Sequence, residues 1–169
     1  MPDGRDEQGA SGRRPHPPAS RTDCNLRRYL PRDDDAATQL WLRSWQAAYP
    51  HLDFAERIDW WRARWRDTLV PSADIVIAEA GGTIAGFVTV DPRTGYLDQI
   101  VVAPESWGTG IGAALIDAAK TISPNGLDLD VNVDNARAVR FYEKYGFTVT
   151  GSGANPNSGK PVHRMSWRP

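Results

Sequence analysis

The sequence is poor in residues that crosslink a chain or hold a metal. It has one cysteine, Cys24, in 169 residues, and its three histidines, His16, His51 and His163, lie far apart. A single thiol excludes an internal disulfide, and scattered imidazoles with no cysteine partner form no metal-ligand constellation. A free thiol fits a reducing compartment, so a cytoplasmic location is expected. No apolar run is long enough to cross a bilayer, and no membrane partner is expected. An excess of one charge is also lacking. The net charge is −1, so there is no basic field to attract nucleic acid.

The first 23 residues, MPDGRDEQGASGRRPHPPASRTD, contain no apolar stretch and are rich in Gly, Pro, Ser and charge. That composition predicts a disordered tail over 1–23, because a secretory signal needs an apolar middle region. The Arg13-Arg14 pair reads as solvated charge. A folded domain is expected over 24–169, and the 40% of hydrophobic residues suffices for one core.

The stretch that organises this domain is Tyr96 to Lys120, YLDQIVVAPESWGTGIGAALIDAAK. An apolar strand (Leu97, Ile100, Val101, Val102) runs into a Pro-broken turn, then into glycines at 108, 110 and 112 that open a helix. Alternate glycines let a ligand approach the backbone, and the first helical turn offers unpaired N–H groups at the positive end of the dipole. A diphosphate-containing ligand is the expectation. Gly108, Gly110 and Ala113 also fit the dinucleotide fingerprint, and Asp128 follows about 20 residues on. Against that reading, the segment Ala103 to Trp107 separates strand from glycine, and too little chain remains for the further strand–helix units. A P-loop is excluded because no Lys-Ser or Lys-Thr follows the last glycine.

Upstream, Asn25 to Leu30 predicts a short strand, and Pro31 with Asp33, Asp34 and Asp35 predicts a helix start whose acidic first turn suits the dipole. Ala37, Leu40, Trp41, Trp45 and Ala48 form its apolar stripe, and a second helix is expected from Asp53 to Asp67. Five of the seven tryptophans fall between Trp41 and Trp65. They are read as packing these helices onto a sheet, with the lining of an acceptor pocket as the other reading. Ala73 to Ala80 and Thr83 to Val90 predict a hairpin around Gly81-Gly82. After the glycine helix come a strand from Leu127 to Val133, a helix capped by Asp134 or Asn135 and ending near Tyr145-Gly146, and two strands in 147–151 and 161–167.

Two motifs in this order resemble the GNAT superfamily of acyl-CoA-dependent N-acyltransferases. The family's Gln/Arg-x-x-Gly-x-Gly/Ala signature after a strand ending Val-x-Pro corresponds to Val102-Ala103-Pro104 and then Trp107-Gly108-Thr109-Gly110-Ile111-Gly112. Both glycines match, and Trp107 replaces the leading Gln/Arg. The second motif, LDLDVNVDNARAVRFYEKYGF (Leu127 to Phe147), resembles the family's strand, Asn-x-x-Ala-x-x-Phe-Tyr helix and Gly-Phe strand start. The resemblance implies an α/β fold of the α+β type, a single domain with a mixed, mostly antiparallel sheet flanked by helices. It also implies acetyl-CoA as cofactor, with CoA as product.

The implied chemistry is direct attack of a primary amine on the thioester. The resemblance gives cofactor contacts at Ile100, Val101, Val102, Gly108, Thr109, Gly110, Ile111, Gly112, Ala113 and Asn135, with a main-chain N–H of the 100–102 strand polarising the thioester carbonyl. Tyr142 takes the family's position near the CoA sulfur, where a phenol lends a proton to the leaving thiolate. An amine protonated at neutral pH needs a base, and Asp130 and Asp98 are the candidates. The acceptor, a small molecule or peptide bearing the amine, is left open, as is monomer or homodimer. The rival reading is a non-catalytic acyl-CoA-binding or regulatory module, favoured by Trp107 and opposed by Tyr142 and Asn135. A nucleotide-dependent oxidoreductase is a weaker rival.

Overall fold

A computed structural model describes residues 23–169. The tail expected over 1–23 lies, but for Asp23, outside the described residues. The rest forms one seven-stranded sheet in the order β1-β2-β3-β4-β5-β7-β6. Its strands are β1 (Asn25–Arg28), β2 (Asp74–Ala80), β3 (Thr83–Asp91), β4 (Tyr96–Val102), β5 (Leu127–Asn132), β6 (Thr148–Ala154) and β7 (Pro161–Trp167). Every neighbouring pair is antiparallel except β4 and β5. The mixed, mostly antiparallel sheet is thus the fold class expected.

Alternation along the central strands gives the sheet two apolar faces. Ala78, Val88, Val90 and Leu97 face α4 (Ile111–Ile122) and α5 (Ala136–Lys144), while Ile77, Phe87 and Val101 face α1 (Asp34–Ala48) and α2 (Ile58–Arg64). A strand buried on both sides has to be apolar at nearly every position, as β3 is.

The helical half departs from expectation in two places. The chain forms a 3-10 turn at Pro31–Asp33 before α1 begins. Asp33 stands in the first turn of this 3-10 segment, as expected, and also anchors β1. Its carboxylate is 4% exposed, accepts the Arg27 guanidinium at 2.7 and 2.9 Å and takes the Leu30 N–H at 2.8 Å. Arg27 holds its pKa below the ordinary value, against an opposing effect of burial. Only Asp34 and Asp35 occupy the first turn of α1. The second helix also runs past Asp67, through a π turn at Trp65–Leu69 into a last turn, α3 (Val70–Ser72). Leu69, buried one turn beyond Trp65, accounts for the extension. The first strand stops at Arg28 and β5 stops at Asn132, each slightly short of its expected end. Among the described residues no helix is long and apolar enough to cross a membrane.

Candidate functional site

The site begins where two parallel strands part. β4 and β5 are paired only at Tyr96 and Asp128, with the Asp128 N–H on the Gly95 carbonyl at 3.0 Å. On its other side β4 stays bonded to β3, with one extra residue. Thr89 pairs with Gln99 while Val90 pairs with Leu97, leaving Asp98 as a bulge. Beyond the bulge, the Gln99 N–H goes to the Thr89 hydroxyl at 3.0 Å and the Ala103 N–H to the Ala85 carbonyl at 2.8 Å. Strand alternation then turns the N–H groups of Ile100 and Val102 toward the gap. The Val102 carbonyl follows this geometry, accepting from Ser44 Oγ at 3.0 Å and Trp107 Nε1 at 2.9 Å rather than from the sheet.

The gap opens into a cleft of about 470 Å³. Its walls are Ile100, Val101 and Val102 on β4, residues 106–110 of the glycine loop, Gly112 and Ala113 on α4, and the inner side of α5. The glycines do different work. Gly108 and Gly110 hold φ of +77° and +96°, which an L side chain resists, and Gly110 is the N-cap of α4. A Cβ at Gly108 would meet nothing within 4 Å, so that side of the loop is open. A Cβ at Gly112 would sit 2.8 Å from the Phe141 ring, so this glycine lets α4 approach α5. Thr109 lines the cleft, whereas the Ile111 side chain, 2% exposed, belongs to the core.

On α5, Asn135 accepts the Ala138 N–H at 3.2 Å as N-cap, and both Asn135 and Tyr142 line the cleft. Tyr142 is 8% exposed. Burial raises its pKa, and the nearby Tyr96 phenol raises it further, so its hydroxyl keeps its proton at neutral pH. Tyr96 is bonded to Asp130. Its hydroxyl donates to Asp130 Oδ2 at 3.2 Å, and burial followed by the Asp130 and Asp98 charges raises its pKa.

The two candidate bases lie outside the lining of the cleft and differ in their bonding. Asp98, the bulge residue, is held by both guanidinium nitrogens of Arg64, one at 2.8 Å and the other on its second oxygen. Asp130 has looser partners, Tyr96 and an Arg164 nitrogen at 3.7 Å. Nothing in the spacing of the sequence singled out Tyr96. The cleft also includes Arg137, whose place two residues after the capping Asn135 was the available signal.

Of the five tryptophans between 41 and 65, three are buried in the core, one lines the cleft and Trp60 is exposed. Trp41, Trp61 and Trp65 are core; Trp41 stacks on Trp61 at 4.5 Å, and Trp65 meets Phe87 edge-on at 5.1 Å. Trp45 lines the cleft and stacks on Tyr49 at 5.9 Å. The Tyr49 hydroxyl donates to Asp134 Oδ1 at 2.7 Å, and burial pushes its pKa up to about 12. Lys160, from the β6–β7 loop, closes this corner 2.8 Å from Asp134 Oδ2 and 4.5 Å from the Tyr49 ring centroid. Among the described residues no cluster of metal-ligating side chains is present.

Residues 35–147 match the Acetyltransferase (GNAT) family. The chain is 32% identical over 138 residues to a peptidyl-lysine N-acetyltransferase, YjaB, of Salmonella typhimurium, covering 81% of this chain and 92% of that protein. Its fold is similar to the solution structure of apo YjaB from Escherichia coli, with a TM-score of 0.70 and 26% identity over 85% of this chain and 97% of that one. It is also similar in fold to the PaiA N-acetyltransferase of Thermoplasma acidophilum, solved in complex with coenzyme A. There the TM-score is 0.69 at 20% identity, over 87% of this chain and 99% of that one.

Proposed function

The chain belongs to the Acetyltransferase (GNAT) family, and from that premise we propose that residues 24–169 transfer the acetyl group of acetyl-CoA to a primary amine in the cleft between β4 and β5. The observation that carries this reading is the parting of two parallel strands beside a glycine-opened helix, with a protonated phenol, Tyr142, at the same cleft. The residues fit the donor. Gly108 and Gly110 leave the loop backbone accessible to a pyrophosphate, and the strand gap presents main-chain N–H groups between apolar walls. When bound, acetyl-CoA supplies an activated acyl thioester.

The chain's own groups do the rest. The N–H groups of Ile100 and Val102 face the gap, where they would donate to the oxygen of a bound thioester carbonyl as it gathers negative charge. Ile111 contributes only main chain, and Asn135 fixes the start of α5 beside the donor. Tyr142 gives its proton to the departing sulfur. Asp130, through the Tyr96 hydroxyl or a water, takes the proton from the amine. Asp98 is the lesser candidate because Arg64 occupies both of its oxygens. A lysine side chain of a peptide is the first acceptor to test, because a relative 32% identical across most of its length carries that activity in its name. The free thiol of Cys24 supports a cytoplasmic enzyme, acting as a monomer or homodimer.

Thermal unfolding with acetyl-CoA, CoA and NAD at matched concentrations tests the donor site. A rise in Tm with both CoA species and none with NAD is expected, and no shift with CoA overturns the reading. Tyr142→Phe separates enzyme from binding module. Turnover of a lysine peptide falls about 100-fold or more while CoA affinity holds. A variant with unchanged turnover removes Tyr142 from the reaction.

A further inference from the structure

A pyrophosphate brings two negative charges to a loop whose N–H groups are dipoles without net charge. The residue heading that loop, Trp107, has no charge to add. Trp107 is nevertheless held rigidly, with its indole N–H on the Val102 carbonyl at 2.9 Å. The Arg137 guanidinium from the first turn of α5 lies over its ring, with Cζ 3.5 Å from the centroid. We infer that Arg137, laid on Trp107 as a platform, is the cation that binds the donor's pyrophosphate in this chain. This inference rests on the acyl-CoA reading above.

Three observations carry it. Arg137 lines the cleft beside Gly108 and Gly110. Among the described residues no carboxylate lies within ion-pairing distance of it, whereas Arg43 pairs with Glu105 and Lys160 with Asp134. Loss of solvent alone lowers the Arg137 pKa, with no anion opposing the shift. A planar guanidinium stacked on an indole keeps its N–H edges pointing outward, the geometry that grips phosphate oxygens in pairs. Lys144, the other cation on this wall, sits two turns away, its ammonium 5.6 Å from the Tyr145 ring centroid. Trp107 therefore changes the source of the charge from the loop to the facing helix.

Titration calorimetry with CoA and dephospho-CoA, which keeps the pyrophosphate but lacks the 3′-phosphate, tests this on the wild type, Arg137→Ala and the double variant Arg137→Ala/Trp107→Arg. Arg137→Ala is expected to weaken both ligands about tenfold or more and to flatten the dependence of affinity on salt. The double variant, which returns a guanidinium to the head of the loop, recovers most of the loss. Arg137 is exposed on α5, and unchanged circular dichroism shows that the single variant is folded. Equal CoA affinity for wild type and Arg137→Ala overturns the inference and leaves the acyl-CoA reading intact. A loss seen with CoA but not with dephospho-CoA moves the charge to the 3′-phosphate and also overturns it. A wild type that binds neither ligand brings down both readings.

Discussion

Helix α4 covers one face of the sheet mainly with aliphatic side chains, Ile111, Leu115, Ile116 and Ala119, with Tyr142 of α5 beside them, whereas α1, α2 and the segments next to them cover the other with Trp41, Trp61, Trp65 and Phe54. The aliphatic face depends on close approach. A Cβ at Gly86 on β3 would lie 2.8 Å from the Val101 carbonyl oxygen and 2.9 Å from Leu115, and one at Gly112 would strike Phe141. The aromatic face fills its space with rings in stacked and edge contacts instead. The glycine loop and Tyr142 sit on the side where small residues are required. The Trp-rich side contributes Trp45 and Ser44 to the cleft. On the proposed reading, one face holds the ligand's backbone-bound part, and the other holds the fold together beside the cleft.

Trp61→Ala puts this division to its hardest test. Trp61 is 1% exposed and stacked on Trp41, so the truncation should cost about 3–5 kcal/mol. Its indole N–H has no hydrogen-bond partner, so the loss is packing alone. Chemical denaturation should show the full drop in stability, while the folded fraction binds CoA as the wild type does. Loss of CoA affinity in that folded fraction would mean that the two faces are coupled.

The ion pair under β1 offers a second, pH-resolved test. Asp33→Asn removes a buried charged partner of Arg27 and should cost about 1.5–3 kcal/mol at pH 7. The Asp33 pKa is lowered in the fold, so its contribution is complete above the unfolded value, 3.8, and disappears as pH falls through the lower folded value. Stability curves of wild type and variant should therefore converge below pH 3.8. A constant gap down to the lowest pH would show that geometry, not charge, sets the cost.

Much of this was legible in the sequence because the aliphatic face speaks in glycine spacing. The strand–turn–glycine run from Tyr96 to Lys120 and the Asn135–Tyr142 segment are local patterns, and the structure brings Gly108, Gly110, Asn135 and Tyr142 to one cleft. What was hidden depends on long-range geometry. Asp33 was legible as an acidic first-turn residue, but its pairing with Arg27 appears only once β1 lies beside it. The bulge at Asp98 exists only in the register with β3. Tyr96 and Asp130, 34 residues apart, meet because β4 and β5 join at their first residues. Trp107 read only as a departure from the Gln/Arg of the motif, since only the tertiary fold lays Arg137 on it.

Gly108→Ala carries the smallest stability effect and separates most sharply what the ligand face does for folding from what it does for binding. The added methyl meets no protein atom within 4 Å, so its cost to the fold comes only from φ of +77°, about 1–2 kcal/mol. The same methyl occupies the open side of the loop, where on the proposed reading the donor's pyrophosphate needs the backbone uncovered. Calorimetry should therefore show a loss of CoA affinity larger than the loss of stability measured by denaturation. At Gly112 the order reverses, because an alanine there presses on Phe141 and strains the α4–α5 contact before it reaches any ligand. Equal effects on affinity and stability at Gly108 would mean that the loop serves the fold alone, and the contrast between the two faces would lose its functional half.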